Sequence, residues 1–235
     1  MASSATNKPY RPRNPRGHPH RTDPRGSNDP SSTIALSKAL SWLLRHNAVQ
    51  EGLHIESGGW VDLSAVLKLP RFTNWTVDDV KAVVASNDKQ RFSLRELQGD
   101  RLEIRANQGH TLKVKEVDDA ELLEPITDPA GITVIHGTYL RHWDAIKSTG
   151  LSRMKRNHVH FAPGELGEDG VTSGMRNSAQ IYIYVDIEAA MRDGVKFYRS
   201  ANNVILSPGN RDGFVEPKYF TKVVDLKSKK DLLLE

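Results

Sequence analysis

Residues 34–46 read IALSKALSWLLRH, and this stretch sets where the folded chain begins. Its apolar side chains recur three and four positions apart, which predicts the buried face of an α-helix. We expect Ser31 to Thr33 to cap the helix, and Arg45 with His46 to end it. Because the carboxyl end of a helix favours cations, the charged form of His46 should be favoured there.

The segments that follow predict two more helices and a β-hairpin, the element order of a winged helix-turn-helix. The second helix is expected at residues 63–67, and the third opens at Thr76, the first residue of a capping box. The hairpin strands are expected at residues 91–95 and 101–105, where apolar and charged residues alternate. The charged side chains expected on the solvent face of the second strand are Arg101, Glu103 and Arg105.

The chain is predicted to be α+β, with two lobes after a tail. Residues 128–131, Asp-Pro-Ala-Gly, predict a linker between an amino-terminal lobe at residues 33–127 and a second lobe of mixed short strands and helices at residues 131–235. Residues 1–32 hold six of the twelve prolines, which predicts a disordered, basic, Pro-rich tail. The second lobe should have strands at residues 132–135, 159–161, 181–185, 195–199, 204–206 and 220–224, and helices at residues 139–147 and 187–192.

Charge and composition narrow the class of protein further. The chain has 33 Lys and Arg, 29 Asp and Glu, and no cysteine. The tail carries six basic and two acidic residues, so the rest of the chain holds 27 of each and is neutral. Without cysteine, disulfide scaffolds, cysteine-ligated metals and cysteine nucleophiles are excluded. No apolar run approaches the ~20 residues of a membrane span, so we expect an intracellular protein, cytoplasmic or nuclear, with no membrane partner.

Three basic motifs are candidates for phosphate binding, although each has an ordinary structural alternative. Arg45-His46 can pair an anion-binding guanidinium with a proton donor, or form a solvated helix end. Arg105 leads into a glycine-containing turn, where it can hold a phosphate or belong to a hairpin tip. Arg176 lies upstream of a buried strand, from where its side chain reaches into a cleft or stays on the surface.

Histidine motifs mark the second lobe. His136-Gly137-Thr138 stands at the end of a predicted strand, where ligands commonly bind. His158 and His160 share one face of a strand, as a metal pair would, but no third ligand stands at a suitable spacing. The alternative is one structural histidine and one that lines a pocket. No Walker loop, G-x-G-x-x-G or G-x-S-x-G motif occurs, which argues against ordinary kinases, Rossmann-type enzymes and serine hydrolases.

Together and in this order, the motifs resemble one family, the NAD-dependent tRNA (RNA) 2′-phosphotransferases. The resemblance covers residues 33–226, and its matching segments are residues 37–46, 52–53, 59–61, 105–110, 136–138, 150–154, 158–160, 174–176 and 200–206. It implies an amino-terminal winged-helix lobe that binds RNA. It also implies a carboxy-terminal ADP-ribosyltransferase-like lobe that binds NAD+.

The implied reaction moves the internal 2′-phosphate of ligated tRNA to NAD+, a co-substrate, in two steps and without a metal. In the first step the RNA phosphate attacks the nicotinamide ribose, which expels nicotinamide and leaves 2′-phospho-ADP-ribosylated RNA. The ribose 2″-hydroxyl then attacks the phosphate, and the products are 2′-hydroxyl RNA and ADP-ribose 1″,2″-cyclic phosphate. The implied partner is thus RNA with an internal 2′-phosphate, and we expect the enzyme to be a monomer.

The resemblance also implies which side chains act. The residues that match the family's catalytic positions are Arg45, His46, Arg105 and Arg176. We expect Arg45 and Arg105 to clamp the phosphate, and Arg176 to orient it. His46 is expected to protonate the departing RNA oxygen in the second step. The implied NAD+-binding residues are His136, Gly137, Thr138, Met154, His158, Ser200 and Asn203.

Three other functions stay open on the sequence alone. A non-enzymatic winged-helix nucleic-acid binder predicts a basic recognition helix, but residues 76–89 carry three Asp against two Lys. An NAD-dependent ADP-ribosyltransferase that caps nucleic-acid phosphate ends would use the same second lobe. A histidine-based metallohydrolase would lose its activity in excess chelator.

Overall fold

The fold begins with a helix that starts earlier than expected. The computed structural model describes residues 30–117, 119–168, 171 and 173–234. Helix α1 spans Pro30–Trp42, so Ser31 to Thr33 lie in its first turn and do not cap it. Proline suits a helix start because the N–H that it lacks is one that the first turn leaves unpaired. The predicted tail lies outside the described residues, apart from residues 30–32.

Helix α1 widens at its carboxyl end into a π-helical turn, Leu43–Asn47. The two leucines that open this turn are buried in the hydrophobic core. The predicted helix therefore extends past His46, but with a wider winding than expected. Such turns are rare and recur at functional sites, and this one carries both Arg45 and His46.

The remaining helices and the hairpin of the amino-terminal half are confirmed. Helix α2 spans Leu63–Lys68, and helix α3 spans Val77–Ala85 after the expected capping box at Thr76. The strands of this half are β1 (Val61–Asp62), β2 (Phe92–Leu97) and β3 (Arg101–Ala106). They form an antiparallel sheet in the order β1-β3-β2, which places β3 in its centre.

The solvent face predicted for β3 is wrong at Glu103, whose side chain is fully buried. Its carboxylate is paired with Arg95, at 2.6 Å from Nη2 to Oε2, and with Arg101. Trp60 covers the same face, and the Arg95 guanidinium lies 4.5 Å from the centroid of its ring. Burial alone would raise the pKa of Glu103, but the hydrogen bonds from the two arginines outweigh it, and the pKa lies below its usual value.

The carboxy-terminal half consists mainly of short antiparallel strands. They are β4 (Glu124–Pro125), β5 (Ile135–Thr138), β6 (Leu151–Ser152), β7 (Val159–Phe161), β8 (Ile181–Val185), β9 (Tyr198–Arg199), β10 (Ile205–Ser207), β11 (Phe214–Val215) and β12 (Phe220–Asp225). The sheets have the orders β4-β9-β10-β7, β12-β8-β5 and β11-β6. The helices are α4 (Asp119–Leu122), α5 (Trp143–Thr149) and α6 (Ile187–Arg192), with 3₁₀-helices at Lys115–Val117, Leu140–His142 and Pro217–Tyr219. The chain is therefore α+β, with small antiparallel sheets and few helices.

Strand β5 begins later than predicted, and this changes the position of the His-Gly-Thr motif in the fold. The strands predicted at residues 159–161 and 181–185 are confirmed, but β5 begins at Ile135 instead of Ile132. Residues 136–138 therefore lie within the strand, paired with β8, and do not follow its end. The His-Gly-Thr motif is held as part of a sheet.

The two halves share hydrophobic contacts. The apolar cluster beneath α1 and α3 also contains Val204 and Leu206 from the carboxy-terminal half. The lobe boundaries at residues 33–127 and 131–235 stay predictions. No described helix is both long enough and apolar enough to cross a membrane.

A Glu103→Gln variant tests the buried ion pairs. We expect it to lose about 1–2 kcal/mol of unfolding free energy at pH 7, because a neutral amide accepts weaker hydrogen bonds from guanidinium groups. Since folding lowers the pKa of Glu103, its contribution is complete above the unfolded pKa and is lost as the pH falls through the folded pKa. The variant should therefore lose less stability than the wild type on acidification.

Urea unfolding at neutral and acid pH measures both effects. Glu96→Gln is the matched control, since Glu96 is exposed on the neighbouring strand β2. Equal stabilities for the two variants at pH 7 would contradict the importance of the buried carboxylate.

Candidate active site

One cleft collects most of the predicted site residues. It has a volume of about 1060 Å³ and lies between the π-helical turn, strand β5 and residues 152–160 and 173–179. Eight wall residues are Arg or Lys, and the described part of the wall includes no Asp or Glu. The basic residues are Arg45, Lys89, Arg91, Arg141, Arg153, Lys155, Arg156 and Arg176. Residues 33–235, which carry no net charge, thus concentrate positive charge in one place, which suits an anionic ligand.

Arg45 extends from the π-helical turn into this cleft and is mostly buried. Its Nε and Nη2 have no hydrogen-bond partner among the described residues. Gly109, with φ +89°, packs against it, since a Cβ there would lie 3.4 Å from Arg45 side-chain atoms. Burial, followed by the charges of Arg156 and Arg91, lowers the pKa of Arg45 to about 10. A buried cation with unpartnered donors is suited to bind a phosphate.

His46 lies beside Arg45 and is oriented by Thr111. The Thr111 N–H donates to the Arg45 carbonyl at 3.0 Å, and its Oγ1 lies 3.0 Å from His46 Nδ1. With the threonine hydroxyl donating to Nδ1, the neutral imidazole carries its proton on Nε2. Thr111 is therefore a site residue that the sequence motifs did not single out, although it directly follows the Gly109-His110 pair.

The expectation that His46 favours its charged form is wrong. Burial lowers the pKa of His46, and the charges of Arg45 and Arg156 lower it further. Two full positive charges outweigh the roughly half charge at a helix end. His46 is therefore neutral in the free protein at pH 7. A phosphate dianion bound beside it would raise this pKa and give the ring a second proton to donate.

Arg156 is a central charge of the cleft that sequence reasoning missed. Its charge lowers the pKa of both Arg45 and His46. Its own pKa is lowered by burial and then by the charge of Arg176. Arg156 lies in a bend before strand β7, so the alternation of side chains along the strand did not single it out in the sequence.

Arg176 lies at the rim of the cleft and is exposed. Its Nη1 donates to the Tyr139 hydroxyl at 3.4 Å. Gly174 brings this segment close to β7, because a Cβ at Gly174 would lie 2.6 Å from the Phe161 carbonyl oxygen. With φ +102° as well, only glycine fits there without strain. The Gly-Met-Arg motif is thus a bend that delivers Arg176 to the cleft.

Gly137 packs the same segment against strand β5. A Cβ on Gly137 would lie 2.9 Å from the Cβ of Met175 and 3.1 Å from that of Ala179. The neighbouring His136 donates from Nδ1 to the His160 carbonyl at 2.9 Å, and burial lowers its pKa. Its ring is therefore neutral and fixed in one tautomer.

Five of the seven predicted NAD+-binding residues lie on the cleft wall, namely His136, Gly137, Thr138, Met154 and His158. Ser200 and Asn203 do not. Ser200 is buried in a turn, where its Oγ donates to the Asn202 side chain at 2.8 Å. The amide of Asn202 in turn donates to the Lys89 carbonyl at 2.8 Å. This motif therefore joins the two halves of the chain and does not line the cleft.

Arg105 is the catalytic candidate that the cleft does not include. Its Nη1 donates to the Gly58 carbonyl at 3.2 Å, and its guanidinium lies 4.6 Å from the centroid of the Trp60 ring. Its Nε is buried without a partner in the described part of the chain. The structure thus brings Arg45, His46 and Arg176 into one cleft, whereas Arg105 lies outside the cleft and packs against the ring of Trp60.

His158 and His160 are engaged with different partners. His158 Nε2 lies 3.0 Å from Asp119 Oδ2, and His160 Nε2 lies 2.9 Å from the Gln108 side chain. Both contacts connect the second histidine motif to the preceding part of the chain. Within the described ranges no three His, Asp or Glu side chains come together as a metal site.

The charge and the unpartnered donors of this cleft are typical of proteins that bind phosphoryl groups. A family model described as "RNA 2'-phosphotransferase, Tpt1 / KptA family" matches residues 31–209, and the chain belongs to that family. The resemblance drawn from the sequence motifs is thereby confirmed. Family membership also favours an enzyme over a non-enzymatic nucleic-acid binder.

Relatives from distant eukaryotes match most of the chain. The tRNA 2′-phosphotransferase 1 of Danio rerio is 46% identical over 201 residues, covering 85% of this chain and 89% of the relative. The Homo sapiens protein of that name is 45% identical over 199 residues, covering 83% and 76%. The tRNA 2′-phosphotransferase of Saccharomyces cerevisiae is 44% identical over 180 residues, covering 74% and 78%.

An Arg156→Gln variant tests the electrostatics of the cleft. Because the positive charge of Arg156 lowers the pKa of His46, we expect its removal to raise that pKa. Histidine-ring NMR titration measures the effect, with the His46→Ala spectrum identifying the resonance. Lys155→Gln removes the same charge from the neighbouring residue and should shift the pKa of His46 less. An unchanged or lower pKa in Arg156→Gln would contradict the central placement of this arginine.

Proposed function

We propose that the protein transfers the internal 2′-phosphate of RNA, foremost that of ligated tRNA, to NAD+. The observation that carries this proposal is the buried Arg45 guanidinium, with unpartnered donors, in a cleft whose described wall holds no acidic side chain. The family supports an RNA 2′-phosphate as the substrate, and the names of the relatives support tRNA. The proposed products are 2′-hydroxyl RNA, nicotinamide and ADP-ribose 1″,2″-cyclic phosphate.

We assign the two ligands to two lobes that meet at the cleft. Helices α1–α3 with the β1-β3-β2 sheet have the element order of a winged-helix lobe, which would bind RNA. The short antiparallel strands beyond residue 130 would form an ADP-ribosyltransferase-like lobe for NAD+. The cleft volume of about 1060 Å³ lies just above the roughly 300–1,000 Å³ of small-molecule sites. This volume leaves room for both ligands.

The wall at β5 is compatible with NAD+. When bound, NAD+ supplies a ribose carbon that carries a good leaving group, nicotinamide. Gly137 lines this wall, and its missing side chain makes room for Met175 and Ala179, which bring the segment of Arg176 against the strand. His136 is neutral because burial lowers its pKa, so it does not repel the positively charged nicotinamide ring. Thr138 and Met154 extend this wall toward the mouth, where Met154 is 79% exposed.

In the first step the side chains must position a dianion without neutralising it. Arg45 would hold the phosphate through its guanidinium, and Arg176 would orient it from the rim. A phosphate oxygen is already anionic, so the attack on the ribose carbon needs no carboxylate base. This requirement agrees with a described wall that is rich in Arg and Lys and lacks Asp and Glu.

In the second step the ribose 2″-oxygen bonds to phosphorus and its proton passes to solvent. The bond between phosphorus and the RNA 2′-oxygen breaks, and that oxygen needs a proton. His46 is the proposed donor. The ring is neutral in the free protein, and the bound phosphate raises its pKa so that it becomes a cation. Thr111 keeps the ring oriented through the contact at Nδ1. Arg45 would stabilise the charge that builds up on the phosphate.

Arg105 stays in the proposed catalytic set on the family resemblance. Its guanidinium would have to leave the Gly58 carbonyl and the Trp60 ring to reach the phosphate. We therefore propose that RNA binding accompanies a change of side-chain conformation at Arg105. Its buried Nε has no partner among the described residues that would hold it in place.

The most direct test incubates the purified protein with an RNA that has one internal 2′-phosphate, with and without NAD+. The proposal predicts loss of the phosphate only with NAD+, with release of nicotinamide and the cyclic phosphate, and no effect of excess chelator. Loss of the phosphate without NAD+ would overturn the proposed acceptor. A stable ADP-ribosylated end product from an RNA with a terminal phosphate would point to the capping activity.

A His46→Ala variant separates the two steps. We expect nicotinamide release to continue in part, because the first step needs no proton donor. ADP-ribosylated RNA should accumulate, since the second step slows by about 10²–10⁴-fold without its acid. Gel separation of labelled RNA and quantification of nicotinamide measure both. Equal loss of both steps would contradict the assigned role.

A further inference from the structure

Tyr139 stands directly after strand β5 at the rim of the cleft, and two cationic side chains flank its ring. The guanidinium carbon of Arg176 lies 5.7 Å from the ring centroid, and that of Arg141 lies 4.7 Å from it. The hydroxyl accepts from Arg176 Nη1 at 3.4 Å and lies 3.0 Å from Ser178 Oγ. The Tyr139 side chain therefore contacts Arg176 through both its ring and its hydroxyl.

Arg176 needs such a contact because its side chain is exposed and long. No described acidic residue forms a salt bridge with it. An unrestrained arginine samples many rotamers, and holding it in one of them costs conformational entropy, which weakens phosphate binding. A neutral aromatic partner orients a guanidinium without cancelling its charge, whereas a carboxylate would compete with the phosphate.

The backbone around Tyr139 is well anchored. The Gln180 N–H donates to the Thr138 carbonyl at 2.7 Å, and the Gln180 side chain accepts from the Leu140 N–H at 3.1 Å. Both peptide groups that flank Tyr139 are thus hydrogen-bonded to Gln180, the residue directly before strand β8. The phenol ring has a fixed position relative to β5, the wall proposed for NAD+.

We infer that Tyr139 is a positioning residue that holds Arg176 at a set place relative to β5, so that the phosphate meets the ribose carbon. The inference rests on the proposed function of the cleft. The hydroxyl of Tyr139 accepts from Arg176 and shares a hydrogen bond with the Ser178 hydroxyl, in which either oxygen can donate. The bond to Ser178, followed by that from Arg176, lowers the pKa of Tyr139, as expected for a phenol oxygen that accepts hydrogen bonds.

The test measures binding in the absence of NAD+, so that no reaction occurs. Fluorescence anisotropy gives the affinity for an RNA with one internal 2′-phosphate and for the same RNA with a 2′-hydroxyl. The ratio of the two affinities isolates the phosphate contacts. We expect Tyr139→Phe to lower this ratio by about three- to tenfold, and Tyr139→Leu, which also removes the ring, to lower it further.

The coupling to Arg176 separates positioning from a general effect on the fold. In an Arg176→Ala background, Tyr139→Phe should not lower the ratio again, since the group that it positions is gone. The matched control is Tyr184→Phe, because the hydroxyl of Tyr184 donates to Glu165 and does not line the cleft. That control should keep the wild-type ratio.

The outcomes distinguish the inference from the proposed function. A wild-type ratio in Tyr139→Phe and Tyr139→Leu would overturn the inference and leave the proposed function intact. An equal loss with and without Arg176 would also overturn it. If the wild-type protein does not distinguish the two RNAs, the proposed function fails, and the inference fails with it.

Discussion

Arg45 carries a positive charge into a mostly buried place where no carboxylate of the described chain pairs with it, and the site is arranged around this constraint. Burying an ion without a partner destabilises a protein, so such groups are rare away from functional sites. The leucines before it anchor the π-helical turn in the core, and Gly109 leaves room for the guanidinium. An anionic ligand is the natural partner of a cation held in this way.

Contacts that cross between the two halves of the chain keep the cleft together. The backbone N–H of Asn157 donates to the His110 carbonyl at 3.0 Å, and the side-chain amide of Asn157 donates to the Leu112 carbonyl. The side-chain amide of Asn202 donates to the Lys89 carbonyl. These contacts join polar side chains to specific backbone groups, so they fix one relative placement of the walls. The cationic side chains from both halves therefore meet in a geometry that exists before a ligand arrives.

Local patterns predicted the parts of the structure that depend on neighbours in sequence. Helical spacing, a capping box and period-two alternation located α3, the hairpin, β7 and β8, and the ordered motifs placed Arg45, His46 and Arg176 in one site. What the sequence could not supply depends on side-chain contacts, most of them between different elements. Glu103 can be buried because Arg95 and Arg101 pair with its carboxylate. Arg105 lies outside the cleft because its guanidinium packs on the Trp60 ring and donates to the Gly58 carbonyl. The pKa of His46 moved opposite to expectation because the fold buries part of the ring, and the charges of Arg45 and of Arg156, which lies 110 positions further along the chain, lower it further.

The central role of Arg45 is tested most directly by measuring two properties of one variant, the stability of the unliganded protein and its recognition of the RNA phosphate. Replacing Arg45 with Met keeps most of the side-chain volume and removes the unpaired buried charge. The unliganded Arg45→Met variant should have a free energy of unfolding higher by about 1–3 kcal/mol, while the preference for 2′-phosphorylated RNA disappears. A variant that is less stable than the wild type would show that Arg45 already has its partner within the fold. A variant that still distinguishes the phosphorylated RNA would show that Arg45 does not bind the phosphate.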